Sequence, residues 1–166
     1  MVDSPSLTPN TEHLTPIPSY PFALDPFQLE AIAALEAGRS VVVCAPTGSG
    51  KTVIGEYALH AALHAGWRAF YTTPLKALSN QKFRDFGALF GPDRVGLLTG
   101  DISINPDAPI VVMTTEVFRN MLYAAGSEAR LKDVRFVVLD ECHYINDAGR
   151  GTVWEESVIC SPREIR

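Results

Sequence analysis

The sequence lacks several features that would each assign it to a class of protein. It has three cysteines, Cys44, Cys142 and Cys160, which are widely separated and form no CxxC pair, so neither a disulfide framework nor a structural zinc site is expected. No apolar run approaches the ~20 residues that a membrane-spanning helix needs. The net charge is −5, so the chain as a whole has no basic field, and any binding of nucleic acid must come from a local patch.

The first twenty residues, 1–20, are rich in proline, serine and threonine, which predicts a disordered or extended lead-in. They have no basic segment followed by an apolar one, and they carry Asp3 and Glu12 but no arginine, so a targeting peptide is not expected. The predicted location is the cytoplasm, without membrane attachment. With 46% hydrophobic residues in a chain of 166, one globular domain is expected, and it is placed at residues 21–166.

Helix and strand signals alternate along this domain. Asp25 is a typical N-cap and Pro26 a typical first-turn residue, and glycines close several helical segments. Helices are predicted at 25–38, 51–66, 75–91 and 116–125, and strands at 40–45, 68–73, 94–99, 110–115 and 134–141. Five short apolar strands separated mostly by helices predict an α/β fold, in which a parallel sheet is covered by helices on both faces.

The segment APTGSGKT, Ala45–Thr52, has the pattern of a phosphate-binding P-loop, because it follows an apolar run and opens a helix. Gly48 and Gly50 allow successive N–H groups to point at phosphate oxygens, while Lys51 would reach the β- and γ-phosphates and Thr52 would bind Mg²⁺. The alternative is a glycine-rich turn with a surface lysine. The predicted nucleotide-binding residues of the loop are Pro46, Thr47, Gly48, Ser49, Gly50, Lys51 and Thr52.

A second chemical motif is VVLDECHYIND, Val137–Asp147, in which an apolar run ends in two carboxylates and a nearby imidazole. A metal site and an acid/base pair are both possible for such a cluster, but His143 adds too few ligands for a closed zinc site. In a P-loop NTPase, an acidic residue at the end of a second strand holds Mg²⁺. Asp140 is assigned that role, and Glu141 is placed to deprotonate the attacking water. The predicted catalytic residues are therefore Lys51, Asp140 and Glu141, and the predicted Mg²⁺ ligands are Thr52 and Asp140.

The motifs together resemble one family. The resemblance is carried by the P-loop and by the segments YPFALDPFQ, TTPLKALSNQK, GLLTGDISINPDAPIVVMTTEVFRNMLY and DECHYINDAGRGTVWEE. From about Tyr20 onward the chain is similar to superfamily two helicases of the DExH branch, and within it to the superkiller-like RNA helicases that include those feeding the RNA exosome. The resemblance implies a RecA-like ATP-binding domain, ATP and Mg²⁺ as cofactors, single-stranded RNA as partner, and ATP-driven unwinding or translocation.

The P-loop and the acidic segment Val137–Asp147 are together called the two phosphate motifs. The resemblance also assigns roles to residues outside them. Gln28 matches a glutamine that recognises the adenine edge, because a side-chain amide both donates and accepts. Phe22 matches an aromatic residue that lies against the base, although core packing is an equal alternative for it. His143 corresponds to a residue that couples the ATP site to neighbouring motifs.

Three predicted corners between a strand and a helix correspond to nucleic-acid motifs of the family. Helix N-termini bind phosphate through backbone N–H groups, independently of base sequence. Ordinary helix capping is the alternative for each threonine. The candidate nucleic-acid residues are Thr73, Pro74, Lys76 and Lys82 in the first corner, Thr99 and Gly100 with Asp101 in the second, and Thr114, Thr115 and Glu116 in the third.

The resemblance further implies parts of the helicase that this sequence does not contain. The sequence stops before the Ser-Ala-Thr motif of such helicases, and the second RecA-like domain with its arginine finger is also absent from it. In the fold that it resembles, the strand leading to Ser-Ala-Thr lies between the P-loop strand and the strand ending at Asp140. Residues 1–166 alone are therefore expected to fold poorly and to hydrolyse ATP poorly.

Two alternatives to an RNA helicase stay open at this level. A DNA helicase or translocase of the same superfamily would use the same phosphate-directed motifs, which do not separate RNA from DNA. A truncated module that binds RNA or nucleotide without turnover is the alternative that is not an enzyme.

Overall fold

A five-stranded sheet lies at the centre of this computed structural model, which describes residues 20–147, 149 and 151–166. The predicted lead-in, apart from Tyr20, lies outside the described residues. The strands are β1 (Arg68–Thr73), β2 (Val95–Leu98), β3 (Ser103–Ile104), β4 (Ile110–Thr114) and β5 (Val134–Leu139). The helices are α1 (Pro26–Glu36), α2 (Thr52–His64), α3 (Lys76–Phe90), α4 (Thr115–Tyr123), α5 (Ser127–Leu131) and α6 (Gly151–Ile159). None of the described helices has the length and apolar character needed to cross a membrane.

The order of strands across the sheet is β3-β2-β4-β1-β5. All pairs among β1, β2, β4 and β5 are parallel, whereas the short β3 is antiparallel to β2. Parallel neighbours require crossover connections, and α3 and α4 provide two of them. The predicted α/β class is confirmed, with the addition of one antiparallel strand.

Helices cover both faces of the sheet, as predicted. Tyr71 of β1 packs in a buried cluster with residues from α1, α2 and α3. The neighbouring Phe70 points to the other face, where it packs in a second cluster with Phe118 of α4. This alternation follows from the two-residue period of a strand, and it leaves β1 buried on both sides.

The strand predicted at 40–45 is wrong for the described structure, because this segment joins no strand of the sheet. Its side chains still alternate as in an extended chain: Val41 and Val43 pack against the core, whereas Val42 is 84% exposed. An extended segment becomes a strand only when a neighbour completes its backbone hydrogen bonds. The β-branched run SVVVCA predicted a strand, but a run of this kind does not show which neighbour, if any, would pair with it.

β5 is the last strand of the sheet, and its side away from β1 is hydrogen-bonded to the end of the described chain. Val137 donates its N–H to the carbonyl of Arg166, and Arg166 donates to that of Arg135, both at 2.8 Å. The Arg166 guanidinium also hydrogen-bonds the carbonyl of Gly38. Arg166 therefore lies between β5 and the segment that leads into the P-loop.

The carboxyl ends of the four parallel strands meet at one edge of the sheet. Thr73 at the end of β1 is in register with Thr114 at the end of β4, and Thr72 is in register with Leu139 of β5. Asp140 follows directly, and its N–H donates to the Thr72 carbonyl at 3.0 Å. The predicted catalytic and nucleic-acid motifs therefore share this edge, which is where ligands bind in open parallel sheets.

Candidate nucleotide and nucleic-acid site

The P-loop curls back on itself before α2 begins. Gly48 and Gly50 have φ values of +81° and +80°, a region that disfavours residues with a side chain. Lys51 Nζ donates to the carbonyl oxygens of Ala45 and Pro46 at 2.6 and 2.8 Å. The lysine ammonium is thus held over the loop by the loop's own carbonyls, in the region where a phosphate-binding lysine is needed.

Gln28 joins α1 to this loop. Its side chain is 3% exposed, its Oε1 accepts the N–H of Asp25 at 2.8 Å, and its Nε2 donates to the Gly50 carbonyl at 3.0 Å. A Cβ on Gly50 would lie only 2.7 Å from Gln28 Nε2, so a side chain there would displace the Gln28 amide as well as strain the backbone at φ +80°. A primary amide has two N–H groups and two acceptor positions, which leaves one of each for a ligand.

Phe22, the other candidate for the base, lies near the start of the described residues. The residue is 52% exposed, and its ring packs against Tyr20 with ring centroids 5.4 Å apart. About half of the residue is therefore accessible to a base.

The donor groups near the loop fit a nucleotide and a hard divalent cation. Ser49 Oγ is buried and has no hydrogen-bond partner among the described residues. Thr52 and Asp140 offer oxygen donors, and Mg²⁺ is usually held by one or two carboxylates together with phosphates and water. Across the part of the chain that the structure describes, no group of three or more His, Cys, Asp or Glu side chains is arranged to hold a metal by itself.

Helix α2 packs directly onto the strands that lead to the acidic motif. A Cβ on Gly55, one turn into α2, would lie 3.0 Å from Tyr71 Cε2 and 3.4 Å from Val138 Cγ1. The glycine lets the helix approach β1 and β5 closely, which keeps the P-loop end of α2 beside the end of β5. Residues of the two phosphate motifs, about 90 positions apart in sequence, are brought together by this packing.

Asp140 is held in a fixed orientation at the end of β5. Its Oδ2 accepts the hydroxyl of Tyr71 at 2.7 Å, and its Oδ1 accepts the N–H of Glu141 at 2.9 Å. Glu141 has a left-handed backbone (φ 55°, ψ 41°) and an exposed side chain. This turn directs the Glu141 carboxylate away from the line of β5.

His143 contacts the predicted catalytic base. Its Nδ1 lies 3.1 Å from Glu141 Oε2, and its ring packs against Tyr144 with centroids 4.8 Å apart. Tyr144 in turn stacks on Trp154 of α6, at 5.8 Å and an interplanar angle of 15°. His143 therefore connects Glu141 to α6, which is the kind of position expected of a coupling residue.

The four candidate threonines are buried, and three of them have hydroxyls bonded within the protein. Thr73 Oγ1 lies 2.8 Å from Ser79 Oγ, Thr99 Oγ1 donates to Asp101 at 2.9 Å, and Thr115 Oγ1 donates to Thr72 Oγ1 at 3.4 Å. Thr114 occupies the N-cap position of α4 and is 6% exposed. These side chains stabilise the corners, so contacts to a ligand would come from the backbone around them.

The remaining residues of the corners are more accessible. Lys76 forms an exposed salt bridge with Asp101 at 2.8 Å, which joins the first two corners, and hydrogen bonds from Lys76 and Thr99 lower the pKa of the Asp101 carboxyl. Gly100 and Glu116 are exposed, and Pro74 is half-buried.

Lys82 lies on the nucleotide side of α3. Its Nζ is 3.4 Å from Thr52 Oγ1 and lies 5.6 Å from the centre of the Tyr71 ring. Its charge also acts on Glu56 of α2: burial raises the pKa of the Glu56 carboxyl, and the positive charge of Lys82 partly offsets this rise. Lys82 is six positions beyond Lys76, which places the two side chains about 120° apart around the helix.

Tyr71 is the residue of this site that sequence reasoning missed. The sequence did contain one signal, because a tyrosine in a strand buried on both faces needs a partner for its hydroxyl. That partner, Asp140, is 69 residues away, so only the fold identifies it.

Comparison with known proteins agrees with this geometry. The DEAD/DEAH box helicase family matches residues 25–165. "Probable helicase HelY" of Mycobacterium leprae is 60% identical over 88% of this chain and 16% of its own length. The "DExH-box ATP-dependent RNA helicase DExH15 chloroplastic" of Arabidopsis thaliana is 58% identical over 89% of this chain and 13% of its own. "Antiviral helicase SKI2" of Saccharomyces cerevisiae is 50% identical over 95% and 12%.

A solved structure gives the same result. The Mycobacterium smegmatis helicase Lhr, bound to ssDNA and AMP-PNP, superimposes with a TM-score of 0.65 at 27% identity, covering 83% of this chain and 21% of that one. The chain spans about one sixth or less of the curated relatives named above. A family match over most of the chain, with the P-loop and the acidic motif at one sheet edge, shows that the chain belongs to the DEAD/DEAH box helicase family.

Proposed function

We propose that this chain is the ATP-binding part of an ATP-dependent RNA helicase of the superkiller-like DExH branch. The observation that carries the proposal is the packing of α2 on β1 and β5, with the P-loop and Asp140 at the sheet edge that also bears three strand-to-helix corners. Relatives named as RNA helicases at 52–58% identity support RNA as the substrate.

The chain's own residues divide the work on ATP. Lys51 exchanges its two carbonyl partners for phosphate oxygens, and the N–H groups of the loop add to that binding. Thr52 and Asp140 would hold Mg²⁺, which would offset negative charge on the phosphates. Glu141 takes a proton from the attacking water, and the contact with His143 fixes its carboxylate. Gln28 and Phe22 bind the adenine.

The three corners bind the sugar-phosphate backbone of RNA. Helices α3 and α4 begin at two of them, and the N–H groups of their first turns, which have no acceptor within the helix, can donate to phosphate oxygens. Lys76 adds a positive charge once it leaves Asp101, and Lys82 lies further along the same helix. Binding of this kind depends on phosphates and not on bases.

Turnover also requires a second RecA-like domain of the same protein. Hydrolysis in this superfamily takes place between two such domains. An arginine from the second domain stabilises the transition state, which raises the rate of hydrolysis ~10³–10⁵-fold. The small share of the relatives' length that this chain covers is consistent with such a larger protein.

DNA is the competing substrate. The solved structure with 27% identity contains ssDNA and AMP-PNP, and backbone-directed contacts serve either nucleic acid. Unwinding assays with RNA and DNA duplexes of the same sequence and overhang decide between them. Faster unwinding of RNA is expected, and a preference for DNA would reassign the substrate.

Two substitutions in the full-length protein test the chemistry. Lys51→Ala should weaken both ATP binding and hydrolysis, because the ammonium contacts phosphate already in the ground state. Glu141→Gln should leave binding nearly unchanged and lower turnover by ~10²-fold or more, because the carboxylate acts on the attacking water. Steady-state hydrolysis and equilibrium nucleotide titrations measure the two effects separately.

Lys132→Ala and Glu128→Gln are the matched controls. Both residues precede β5 and therefore lie at the opposite edge of the sheet from the P-loop. Neither control should change binding or turnover. Full activity in Glu141→Gln would remove Glu141 as the base, and a wild-type protein that binds ATP without hydrolysing it would favour a non-catalytic module.

A further inference from the structure

We propose that Tyr71 is a positioning residue for the Mg²⁺ site, because its hydroxyl fixes the Asp140 carboxylate in the orientation that faces the P-loop helix. This inference rests on the proposed function, in which Asp140 is a metal ligand. It adds a residue from β1, between the two phosphate motifs in sequence and part of neither.

The Tyr71 ring is locked by its neighbours. It is 1% exposed, and it meets the ring of Phe86 of α3 edge-on, with centroids 4.9 Å apart and an interplanar angle of 70°. Gly55 of α2 also packs against it, so close that a Cβ there would be 3.0 Å from Tyr71 Cε2. Residues of α2 and α3 thus hold the ring, and with it the hydroxyl, in place.

The hydroxyl is a permanent donor. A tyrosine hydroxyl is protonated at neutral pH. That of Tyr71 donates to Oδ2 at 2.7 Å, while the N–H of Glu141 donates to Oδ1 at 2.9 Å. With one donor on each oxygen, the plane of the carboxylate is fixed, and each oxygen keeps a lone pair for a metal-bound water or the metal.

Removal of this donor should loosen the carboxylate without moving the backbone. A ligating carboxylate is normally held by such outer partners, and their loss typically lowers metal affinity or activity by ~10–100-fold. Tyr71→Phe keeps the ring and its packing and deletes only the hydroxyl. The expected defect is in the response to Mg²⁺, not in nucleotide binding as such.

The experiment measures the affinity of the full-length protein for a fluorescent, non-hydrolysable ATP analogue, once in EDTA and once in saturating Mg²⁺. The dissociation constant in EDTA divided by that in Mg²⁺, called the Mg²⁺ ratio, reports how much Mg²⁺ strengthens nucleotide binding. Tyr71→Phe should reduce that ratio by about 10-fold, with little change in EDTA. An unchanged ratio would overturn the inference, whereas a wild-type protein that does not bind the analogue at all would overturn the proposed function.

Tyr57→Phe is the matched control. Tyr57 is also 1% exposed, and its hydroxyl donates to a carboxylate, Glu36 Oε1, at the same 2.7 Å, but this pair joins α1 and α2. It should lower the melting temperature about as much as Tyr71→Phe and leave the Mg²⁺ ratio unchanged. Equal loss of the ratio in both variants would mean a general loss of structure, and would overturn the positioning role.

A double-mutant cycle with Asp140→Asn separates positioning from packing. If Tyr71 acts through the Asp140 carboxylate, its effect on the Mg²⁺ ratio should largely vanish in the Asp140→Asn background. An effect of the same size in both backgrounds would show that Tyr71 acts through something other than Asp140, and would reject the inference.

Discussion

The backbone of Glu141 is an unusual feature of the site at the level of single residues. Left-handed conformations cost a residue other than glycine ~1–2 kcal/mol, and Glu141 adopts one immediately after β5. Its N–H donates to Asp140 Oδ1, so the turn also contributes to the orientation of that carboxylate. Strain retained at a predicted catalytic residue, where it directs a side chain toward His143, supports a functional reason for the conformation.

Gln28 leads to a prediction about nucleotide choice. Its amide already binds Asp25 and Gly50, and one N–H and one acceptor position remain for the adenine edge. Gln28→Ala should therefore weaken ATP more than GTP, because an unpaired polar group at a buried site costs about 1–3 kcal/mol. Binding of both nucleotides to the full-length wild type and the variant measures the change in preference.

The ratio of ATP to GTP affinity is the informative quantity for this variant. Loss of the hydrogen bond from Gln28 to Gly50 disturbs the P-loop and should weaken both nucleotides alike. Loss of base recognition should change the ratio. A wild type that binds GTP as tightly as ATP would contradict the role of Gln28 at the adenine.

At the level of elements, α3 connects the two halves of the site. Its first residue, Lys76, is exposed beside Asp101 in the nucleic-acid corners, whereas Lys82 lies next to Thr52 and over the Tyr71 ring. Lys82 is predicted to contact RNA, and it lies beside Thr52, a predicted nucleotide-binding residue. If Lys76 binds RNA and Lys82 lies at the nucleotide, α3 connects the two ligands directly.

Alanine substitutions should separate the two ends of α3. Lys76→Ala should weaken RNA binding and leave nucleotide affinity unchanged. Lys82→Ala should weaken nucleotide binding by about two- to fivefold, because it removes a positive charge beside Thr52, and such a partly exposed charge contributes up to ~1 kcal/mol. Parallel titrations of RNA and nucleotide measure both, and equal losses of RNA affinity in the two variants would instead support the sequence-based prediction for Lys82.

The elements also show how far the sequence alone could predict this fold. Helices α1 to α4 were predicted because caps and glycines are local signals, and β1, β2, β4 and β5 were predicted from apolar runs. The segment 40–45 has the same apolar character but no partner strand, and pairing is set by distant parts of the chain. The two phosphate motifs are each contiguous in sequence and could be predicted. The bond between Tyr71 and Asp140 joins residues 69 positions apart, so only the fold reveals it.

At the level of the whole chain, the proposed binding of nucleic acid must overcome the net charge of −5 that these 166 residues carry. The corners themselves mix charges, since Asp101 and Glu116 lie near Lys76. Attraction for phosphate therefore has to come from a few local donors, chiefly the N-termini of α3 and α4 and Lys76. Such contacts bind phosphates and do not distinguish bases.

RNA binding by the full-length protein should therefore depend on salt and very little on sequence. The logarithm of the affinity should fall linearly with that of the salt concentration, with a slope of about −0.7 per phosphate contacted, as for single strands. Lys76→Ala should make that slope less steep by the contribution of about one phosphate contact, and equally so for all RNA sequences. Lys132→Ala, at the opposite edge of the sheet, should not change the slope. Fluorescence anisotropy with unstructured RNAs of equal length and different composition, over a range of salt, tests this. Strong discrimination between such RNAs, or a slope near zero, would mean that bases and not phosphates hold the strand, and that the three corners are not its binding site.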